Sequence, residues 1–370
     1  MVATLGKKIA QQIKEHISSG IYPPTSDLES ERDLCLKYRV SRKTIRKTLA
    51  ILEQDGLIKR LPRQGAVVTD QANKLLKRTS TKHALMFIRW SNYRLETCLA
   101  KGILQMAQQY EDQPVLVDAR CSHQRFLDAI YHPPEGVKGL LLMAFNHPSY
   151  EEAVNKANQQ GLKIIFLDRI LPSFDFISSV TADNFSGAYQ VTDHLINTHN
   201  LPVYHIGFTD QPSSAHDRYL GWIEAMETHG FRNWNEYLLD IKIEEYKSSE
   251  YPQTSWEEGY KLSKRVFQSK SEDKFCFFVV NDVLAEGVYR AAQECGMTVG
   301  RNVFMVGFDD LPFCKRLDPP LSSVYQPIEQ IGFEGAKLLY GELNNNLSGP
   351  IHKVLPVSLK VRESCTGKIQ

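Results

Sequence analysis

Two groups of polar side chains in this 370-residue sequence could do chemistry. The first is a short basic run that contains Arg42, Lys43, Thr44 and Arg46. An arginine can donate two hydrogen bonds to one guanine, and a threonine can contact a thymine methyl group. Lysine and arginine also neutralise backbone phosphates. The run therefore favours contact with nucleic acid, although a solvated helix face can carry the same charges.

The second group lies where apolar segments of strand length end. Carboxylates, an amide and a guanidinium follow four of these segments, and together they suit a polar ligand with several hydroxyl groups. An aspartate after a strand is alternatively a helix cap, so the prediction depends on four strand ends sharing the feature. The pairs are Asp168-Arg169, Asp217-Arg218, Asn281-Asp282 and Asp309-Asp310.

Three predicted helices and a hairpin position the basic run. Isoleucines recur at every fourth position of the first helix, and a serine is a suitable N-cap before each of the other two. The predicted helices cover 5–19, Ser30 to Tyr38, and a stretch that begins after Ser41. Two short segments around a turn, 57–60 and 66–69, predict a two-stranded wing.

The third helix directs its basic side chains outward, because Ile45, Leu49 and Leu52 form its apolar side. In a helix-turn-helix, the N-terminal end of this helix enters the major groove. Charge agrees with this prediction: residues 1–78 contain 16 Lys and Arg but 8 Asp and Glu, whereas the remainder contains 28 and 35. A basic head on an acidic body is typical of a separate nucleic-acid-binding module.

The larger part of the chain alternates apolar strands with amphipathic helices. This pattern predicts an α/β fold with two parallel sheets, whose ligands bind beyond the carboxyl ends of the strands. The predicted strands are 83–88, 114–119, 139–144, 163–168, 203–209, 275–280 and 303–308.

The head resembles the DNA-binding domain of GntR-family regulators. The matching motifs are SER (30–32), VSRKTIR (40–46) and LxxLExDGLI (49–58). The resemblance implies a winged helix whose DNA contacts come from Arg32, Arg42, Thr44, Arg46 and, in the wing, Gln64 and Gly65. Lys43 joins the predicted DNA-binding residues as part of the basic run. Three positions depart from the family pattern: Glu29 stands where proline is usual, Thr25 replaces a glycine, and Arg63 replaces the first wing glycine.

The body resembles the effector domain of the LacI/GalR family, which shares the fold of type I periplasmic sugar-binding proteins. Matching segments include IIFLDR (164–169), DRYLGWIEAM (217–226), VGFDD (306–310) and VRES (361–364). The resemblance implies an effector cleft lined by Asp168, Arg218, Asn281, Asp309 and Gln326. Asp183 could contact the ligand or organise the hinge, and Trp90 and Phe145 could stack on a sugar or pack in the core.

The expected domain organisation has a head, a linker and a body of two subdomains. The head covers 1–70, the linker 71–81 and the body 82–370. Subdomain 1 is expected at about 82–182 plus 326–350, and subdomain 2 at about 183–325 plus 351–363.

The combination predicts a ligand-responsive transcriptional repressor, similar to the arabinose repressor type of GntR regulator. Its expected partners are double-stranded operator DNA, a carbohydrate effector and a second copy of itself in a homodimer. The alternative is a sugar-binding or sugar-modifying protein whose basic head serves another purpose. GxSxG, HExxH, P-loop and CxxC motifs are missing from the sequence, so we expect no enzyme activity, no catalytic residue, no cofactor and no metal.

The cell compartment follows from the apolar segments and the cysteines. The longest apolar segments are of strand length, and the N-terminus has no apolar signal region. The seven cysteines are scattered, as in a reduced protein. We therefore expect a cytoplasmic protein without a membrane partner.

Overall fold

The chain divides into two compact units, Met1–Lys82 and His83–Gln370. The computed structural model describes residues 5–366 except for 19, 62–64, 71, 73–83, 91–93, 145–147, 242–255, 270–271 and 348. Of the predicted linker 71–81, only Ala72 is among the described residues. No described helix is long and apolar enough to cross a membrane.

The first unit is a winged helix, as the sequence predicted. Its helices pack their apolar faces into one core around Ile13, Leu34, Ile45 and Leu52, each of which is fully buried. The two strands pair in antiparallel fashion after the third helix. The elements are α1 Leu5–Ser18, α2 Glu31–Tyr38, α3 Arg42–Gln54, β1 Ile58–Leu61 and β2 Gly65–Val68.

Serine caps fix where the second and third helices begin. The Ser30 side chain accepts a hydrogen bond from the Asp33 amide, and the Ser41 side chain accepts one from the Thr44 amide. Each cap satisfies an amide that would otherwise lack a partner in the first turn. Arg39 ends α2 in the left-handed conformation and turns the chain toward α3. The turn therefore sets the start of the basic run.

The first sheet of the second unit is entirely parallel, with strand order β13-β7-β6-β5-β3-β4. Helices α4 and α11 cover one face, and α5 and α6 cover the other. The strands are β3 Leu85–Arg89, β4 Val115–Asp118, β5 Gly139–Leu142, β6 Lys163–Leu167, β7 Ser179–Ala182 and β13 His352–Leu355. The helices are α4 Arg94–Gln108, α5 His123–Tyr131, α6 Pro148–Gln159 and α11 Ile328–Leu343.

The second sheet has strand order β14-β12-β11-β10-β8-β9 and is parallel except for the β12–β14 pair. Helices α9 and α10 cover one face, and α7 and α8 cover the other. The strands are β8 Val203–Gly207, β9 Leu238–Asp240, β10 Phe275–Val279, β11 Val303–Asp309, β12 Ser322–Tyr325 and β14 Ser358–Lys360. The helices are α7 Asn184–His199, α8 Ser213–Thr228, α9 Trp256–Ser269, α10 Asp282–Glu294 and the short α12 Glu363–Thr366.

The chain passes between the two sheets three times, which confirms the two-sheet α/β fold. The crossings follow β7, β12 and β13. The sequence-based boundary at the third crossing was wrong, because 351–363 was assigned whole to subdomain 2. His352–Leu355 instead pairs with β7 in the first sheet, and only Ser358–Lys360 pairs in the second.

Candidate functional sites

Helix α3 presents its basic side chains to solvent. Arg42, Lys43 and Arg46 are exposed, while Ile45 and Leu49 on the opposite face are buried in the core of the head. The Thr44 hydroxyl lies 3.0 Å from the Ser41 hydroxyl at the start of the helix. The helix therefore offers a basic N-terminal end whose inner face is anchored.

Charged contacts connect α3 to its neighbours. Arg46 Nε lies 3.0 Å from Glu31 Oε2 at the start of α2. Arg60, in the wing strand β1, donates from Nη2 to the Arg46 carbonyl at 3.1 Å, and its Nε lies 3.3 Å from Glu53 Oε2. Exposed pairs of this kind contribute little stability, but they restrain side-chain direction. Neither Glu31 nor Arg60 could be identified from the sequence, because their pairings cannot be read from the chain order.

The remaining predicted DNA contacts lie on α2 and in the wing. Arg32 is exposed in the first turn of α2. Gly65 is exposed at the start of β2 with φ of +93°, where a side chain would be strained. Gln64 lies outside the described residues, as does Arg63.

Glu29, the departure from the usual proline, forms a small charged cluster. It accepts a hydrogen bond from the Tyr22 hydroxyl and pairs with Lys37 Nζ at 2.5 Å. Lys37 also donates to the Tyr22 hydroxyl at 2.9 Å. The hydrogen bond to Glu29 raises the pKa of Lys37. The cluster connects the segment before α2 to the last turn of that helix.

Arg218 is the centre of the second site, at the carboxyl ends of the strands of the second sheet. It is buried, with 6% of its surface exposed. Its Nε donates to Asn184 Oδ1 at 2.9 Å, its Nη1 donates to the Val280 carbonyl at 2.6 Å, and its Nη2 lies 3.8 Å from Asp309 Oδ1. Burial lowers the pKa of Arg218, but an arginine stays charged. The guanidinium is therefore a fixed cation with a set orientation.

Two carboxylates from different sheets act on this guanidinium. Asp309 ends β11, and Asp168 follows β6 of the first sheet with 3% of its surface exposed. Both have positive φ, 111° for Asp309 and 67° for Asp168, which is costly for an aspartate. Strained residues of this kind cluster at ligand sites. Burial raises the pKa of Asp309, and the nearby Arg218 opposes this effect.

Gln326 joins these groups from the crossing between β12 and α11. Its Nε2 donates to Asp309 Oδ1, and 2% of its surface is exposed. Arg169 lies 3.3 Å from Asp168 Oδ2 through its Nε. We use the name cleft for the site formed by Asp168, Arg169, Arg218, Asp309 and Gln326.

Two further residues lie after β10 on the second-sheet side of the cleft. Asn281 caps α10, because its Oδ1 accepts from the Leu284 amide at 2.9 Å. Asp282 is fully buried and accepts from the Leu311 amide and the Ser323 hydroxyl at 2.7 and 2.6 Å. Burial raises the pKa of Asp282, and the charge of Asp309 adds to the effect. The sequence named Asn281 but did not distinguish its capping role.

Asp183 is a helix cap at the first crossing. Its Oδ1 accepts from the Ser186 amide at 3.1 Å, and its own amide donates to the Leu355 carbonyl at 2.9 Å. The next residue, Asn184, holds Arg218 and also donates to the Ala182 carbonyl. Asn184 therefore contacts Arg218 in the cleft, and this side-chain contact could not be read from the sequence.

Of the two aromatic residues that could stack on a sugar, Trp90 and Phe145, the structure describes only Trp90. Trp90 packs on the core of the first sheet, with its ring centre 4.8 Å from that of His123 and 6.4 Å from that of Phe126. Its backbone N–H donates to Glu96 Oε1 at 2.8 Å. Trp90 is partly exposed, so packing accounts for only part of its ring. Phe145 lies outside the described residues.

Comparison with known proteins finds a different family model within each of the two units. Residues 5–68 match the model of bacterial regulatory proteins of the gntR family. Residues 192–365 match the model of the periplasmic binding protein-like domain. The chain therefore combines a GntR-family domain at its N-terminus with a periplasmic binding protein-like domain.

Transcriptional regulators with known names match most or part of the chain. It is 22% identical over 338 residues to the arabinose metabolism transcriptional repressor of Geobacillus stearothermophilus, covering 90% of this chain and 89% of that protein. It is 26% identical over 236 residues to the HTH-type transcriptional regulator CelR of Thermobifida fusca, covering 63% and 65%.

Solved structures agree on the fold of the regulator. A transcriptional regulator CelR–cellobiose complex matches with a TM-score of 0.65 and 20% identity, covering 91% of this chain and all of that one. A LacI family transcriptional regulator from Enterococcus faecium with bound ribose matches with a TM-score of 0.64 and 22% identity, covering 77% and 99%.

Proposed function

We propose that this regulator represses transcription by binding operator DNA as a homodimer, and that a carbohydrate bound in the cleft changes its affinity for DNA. The observation that carries the proposal is the buried Arg218 cluster, into which both sheets send polar side chains. Proteins similar to this chain are named for arabinose, or are solved with cellobiose or ribose. We also propose that the protein acts in the cytoplasm and that it catalyses no reaction.

The DNA-binding step uses the exposed N-terminal end of α3. Arg42, Thr44 and Arg46 face solvent or lie at the helix start, where a recognition helix meets base edges. Lys43 and Arg32 supply charge for phosphate contacts. A dimer would present two such helices to a pseudo-palindromic operator.

The effector step uses groups that belong to both sheets. Asp168 comes from the first sheet, Arg218 and Asp309 come from the second, and Gln326 lies at a crossing. The backbone amide of Ile170 also donates to the Ser213 hydroxyl at 2.9 Å, from one side of the cleft to the other. A ligand that contacts both sides favours the closed arrangement, because an open one would lose half of its contacts.

The two steps are coupled if closure alters the pairing of two copies. Coupling free energies between sites are about 1–3 kcal/mol, which corresponds to a change of about 5- to 150-fold in operator affinity. Release of DNA on carbohydrate binding is the direction we propose.

The test begins by selecting the operator from random duplex DNA with the full chain. Affinity for the selected duplex is then measured by fluorescence anisotropy, with and without a panel of monosaccharides and disaccharides. We expect at least one sugar to lower operator affinity fivefold or more. Operator binding that no sugar changes would contradict the effector step, and failure to select any duplex would contradict the DNA-binding step.

A further inference from the structure

Two buried oxygen atoms in the cleft lack a hydrogen-bond partner among the described residues. They are Asp168 Oδ1 and Gln326 Oε1. Their side chains are 3% and 2% exposed, so bulk water does not replace the missing partners. A buried polar atom without a partner costs about 1–3 kcal/mol, which makes these two atoms unlike most buried oxygens.

Both unpartnered atoms are acceptors. The Gln326 amide is oriented by its Nε2, which donates to Asp309, so its oxygen is the free end. The other oxygen of Asp168 faces the Arg169 guanidinium. The missing partners must therefore be hydrogen-bond donors, which a hydroxyl supplies and a phosphate or carboxylate oxygen does not.

The cationic groups of the cleft are already committed. Arg218 donates to Asn184 and to the Val280 carbonyl, and faces Asp309; Arg169 faces Asp168. An incoming anion would have to compete with these contacts. The N–H bonds that remain on the Arg218 guanidinium can still donate to a hydroxyl oxygen, which is acceptor and donor at once.

The net charge of the described part of the cleft also disfavours an anionic ligand. This part contains three carboxyl groups and two guanidinium groups. If Asp282 is protonated, two carboxylates and two guanidinium groups remain, and the net charge is zero. The described cleft therefore has no surplus positive charge. Placing an anion next to Asp168 and Asp309 would add like-charge repulsion in a buried site, where screening is weak.

We infer that the cleft selects an uncharged polyhydroxy ligand and rejects phosphorylated and acidic sugars. This inference rests on the proposed carbohydrate effector and narrows its class. Hydroxyl groups donate to Asp168 Oδ1 and Gln326 Oε1, and one of them accepts from Arg218. The ligand thereby hydrogen-bonds to Asp168 of the first sheet, to Gln326 at the crossing and to Arg218 on the side of the second sheet.

Matched pairs of probes test the inference by isothermal titration calorimetry on the full chain. The pairs are ribose and ribose 5-phosphate, glucose and glucose 6-phosphate, arabinose and arabinonate, and cellobiose and cellobionate. We expect the uncharged member of every pair that binds to be at least tenfold tighter. A charged member that binds more tightly than its parent overturns the inference and leaves the carbohydrate effector standing, whereas no binding by any member overturns both.

The Asp168→Asn variant adds a readout at the residue itself. It removes a charge and turns part of the acceptor into a donor, so binding of the uncharged sugar should weaken by about tenfold or more. The preference for the uncharged member should also shrink at least threefold. Asp128→Asn on the exposed face of α5 is the matched control, and it should change neither value. An unchanged preference in Asp168→Asn would contradict the role given to Asp168.

Discussion

The guanidinium carbon of Arg218 lies 3.7 Å from the centre of the Phe308 ring. Arg218 belongs to α8 and Phe308 to β11, so this contact fixes the cation against the second sheet near the strand end that carries Asp309. Desolvated cation–π contacts contribute about 2 kcal/mol, more than exposed ones. Arg218 is therefore held from the ring side as well as from its hydrogen-bond partners.

Replacement of Arg218 should be costly to stability. In Arg218→Met the side-chain volume is largely kept, but Asp309 and Asn184 lose a buried partner. Removing one member of a buried ion pair costs about 3–5 kcal/mol. We expect a loss of this size in the free energy of unfolding by urea, and loss of the response of operator binding to sugar.

Arg290→Met is the matched control for this replacement. Its guanidinium also stacks on an aromatic ring, 3.8 Å from the centre of Trp256, but its side chain is exposed and pairs with Glu286. Exposed contacts of these kinds contribute about 1 kcal/mol or less. Equal losses in Arg218→Met and Arg290→Met would show that burial in the cleft does not distinguish Arg218.

Operator affinity should depend on the outward side chains of α3. Arg42→Ala and Arg46→Ala each remove a side chain that we propose contacts a base, so each should weaken binding of the selected operator by about 1–3 kcal/mol. Lys43→Ala should instead weaken binding to all duplexes alike and reduce the slope of affinity against salt by about one. Fluorescence anisotropy at several salt concentrations separates the two effects.

A lysine outside the head serves as the control for the loss of one positive charge. Lys261 on α9 is exposed and pairs with Glu258, and Lys261→Ala should leave operator affinity unchanged. Sugar binding should also be unchanged in all four variants. If Arg42→Ala and Arg46→Ala both retain wild-type affinity for the operator, α3 is not the recognition helix.

Two helices of the first subdomain approach each other through glycines. A Cβ atom on Gly102 would lie 1.8 Å from the Glu329 carbonyl oxygen, and one on Gly332 would lie 2.1 Å from the Leu99 carbonyl oxygen. Gly102→Ala must therefore separate α4 from α11. Overpacking costs about 1–3 kcal/mol, and backbone atoms that cannot turn away place this variant at the upper end.

Gly6→Ala provides the comparison, as a helical glycine with space around it. Its nearest neighbour would be the Thr48 hydroxyl oxygen at 3.6 Å, an ordinary contact. Alanine is better than glycine in a helix by about 1 kcal/mol, so this variant should unfold at the same or a higher temperature. Gly102→Ala should unfold at a lower temperature in differential scanning calorimetry, and a wild-type value would mean that the helices are not in backbone contact.

The parts of the fold that sequence predicted are those with local signals. Periodicity and serine caps gave the three helices of the head, and continuous apolar runs gave strands such as β5 and β10. The aspartates at the ends of β6 and β11 were also predicted from a local signal, a polar residue after an apolar run, although the two strands belong to different sheets. These features depend on a few neighbouring residues.

The remainder depends on contacts between distant residues. The four residues of β13 carry no mark of which sheet they join, and only pairing with β7 places them in the first. The reach of Asn184 to Arg218 spans 34 positions along the chain. Likewise, the hydrogen bond that the Ser323 hydroxyl donates to Asp282 spans 41 positions.

The buried His205 makes stability depend on pH. It lies fully buried in β8, and its Nδ1 lies 3.2 Å from the Phe278 carbonyl oxygen, which accepts its hydrogen. Burial lowers the pKa of His205 to about 3, well below its usual value. Below a pH of about 6.5 the unfolded chain takes up a proton that the folded chain refuses, so stability falls as the pH falls.

The comparison of His205→Gln with the wild type isolates this contribution. Between pH 7.5 and pH 5.5, His205 alone should remove about 1.4 kcal/mol from the free energy of unfolding of the wild type. His194 and His199, whose pKa values burial also lowers, act in the same direction in both proteins and cancel. Urea unfolding at the two pH values should therefore show a smaller loss in His205→Gln by this amount. Equal losses in the two proteins would mean that His205 is protonated in the folded chain.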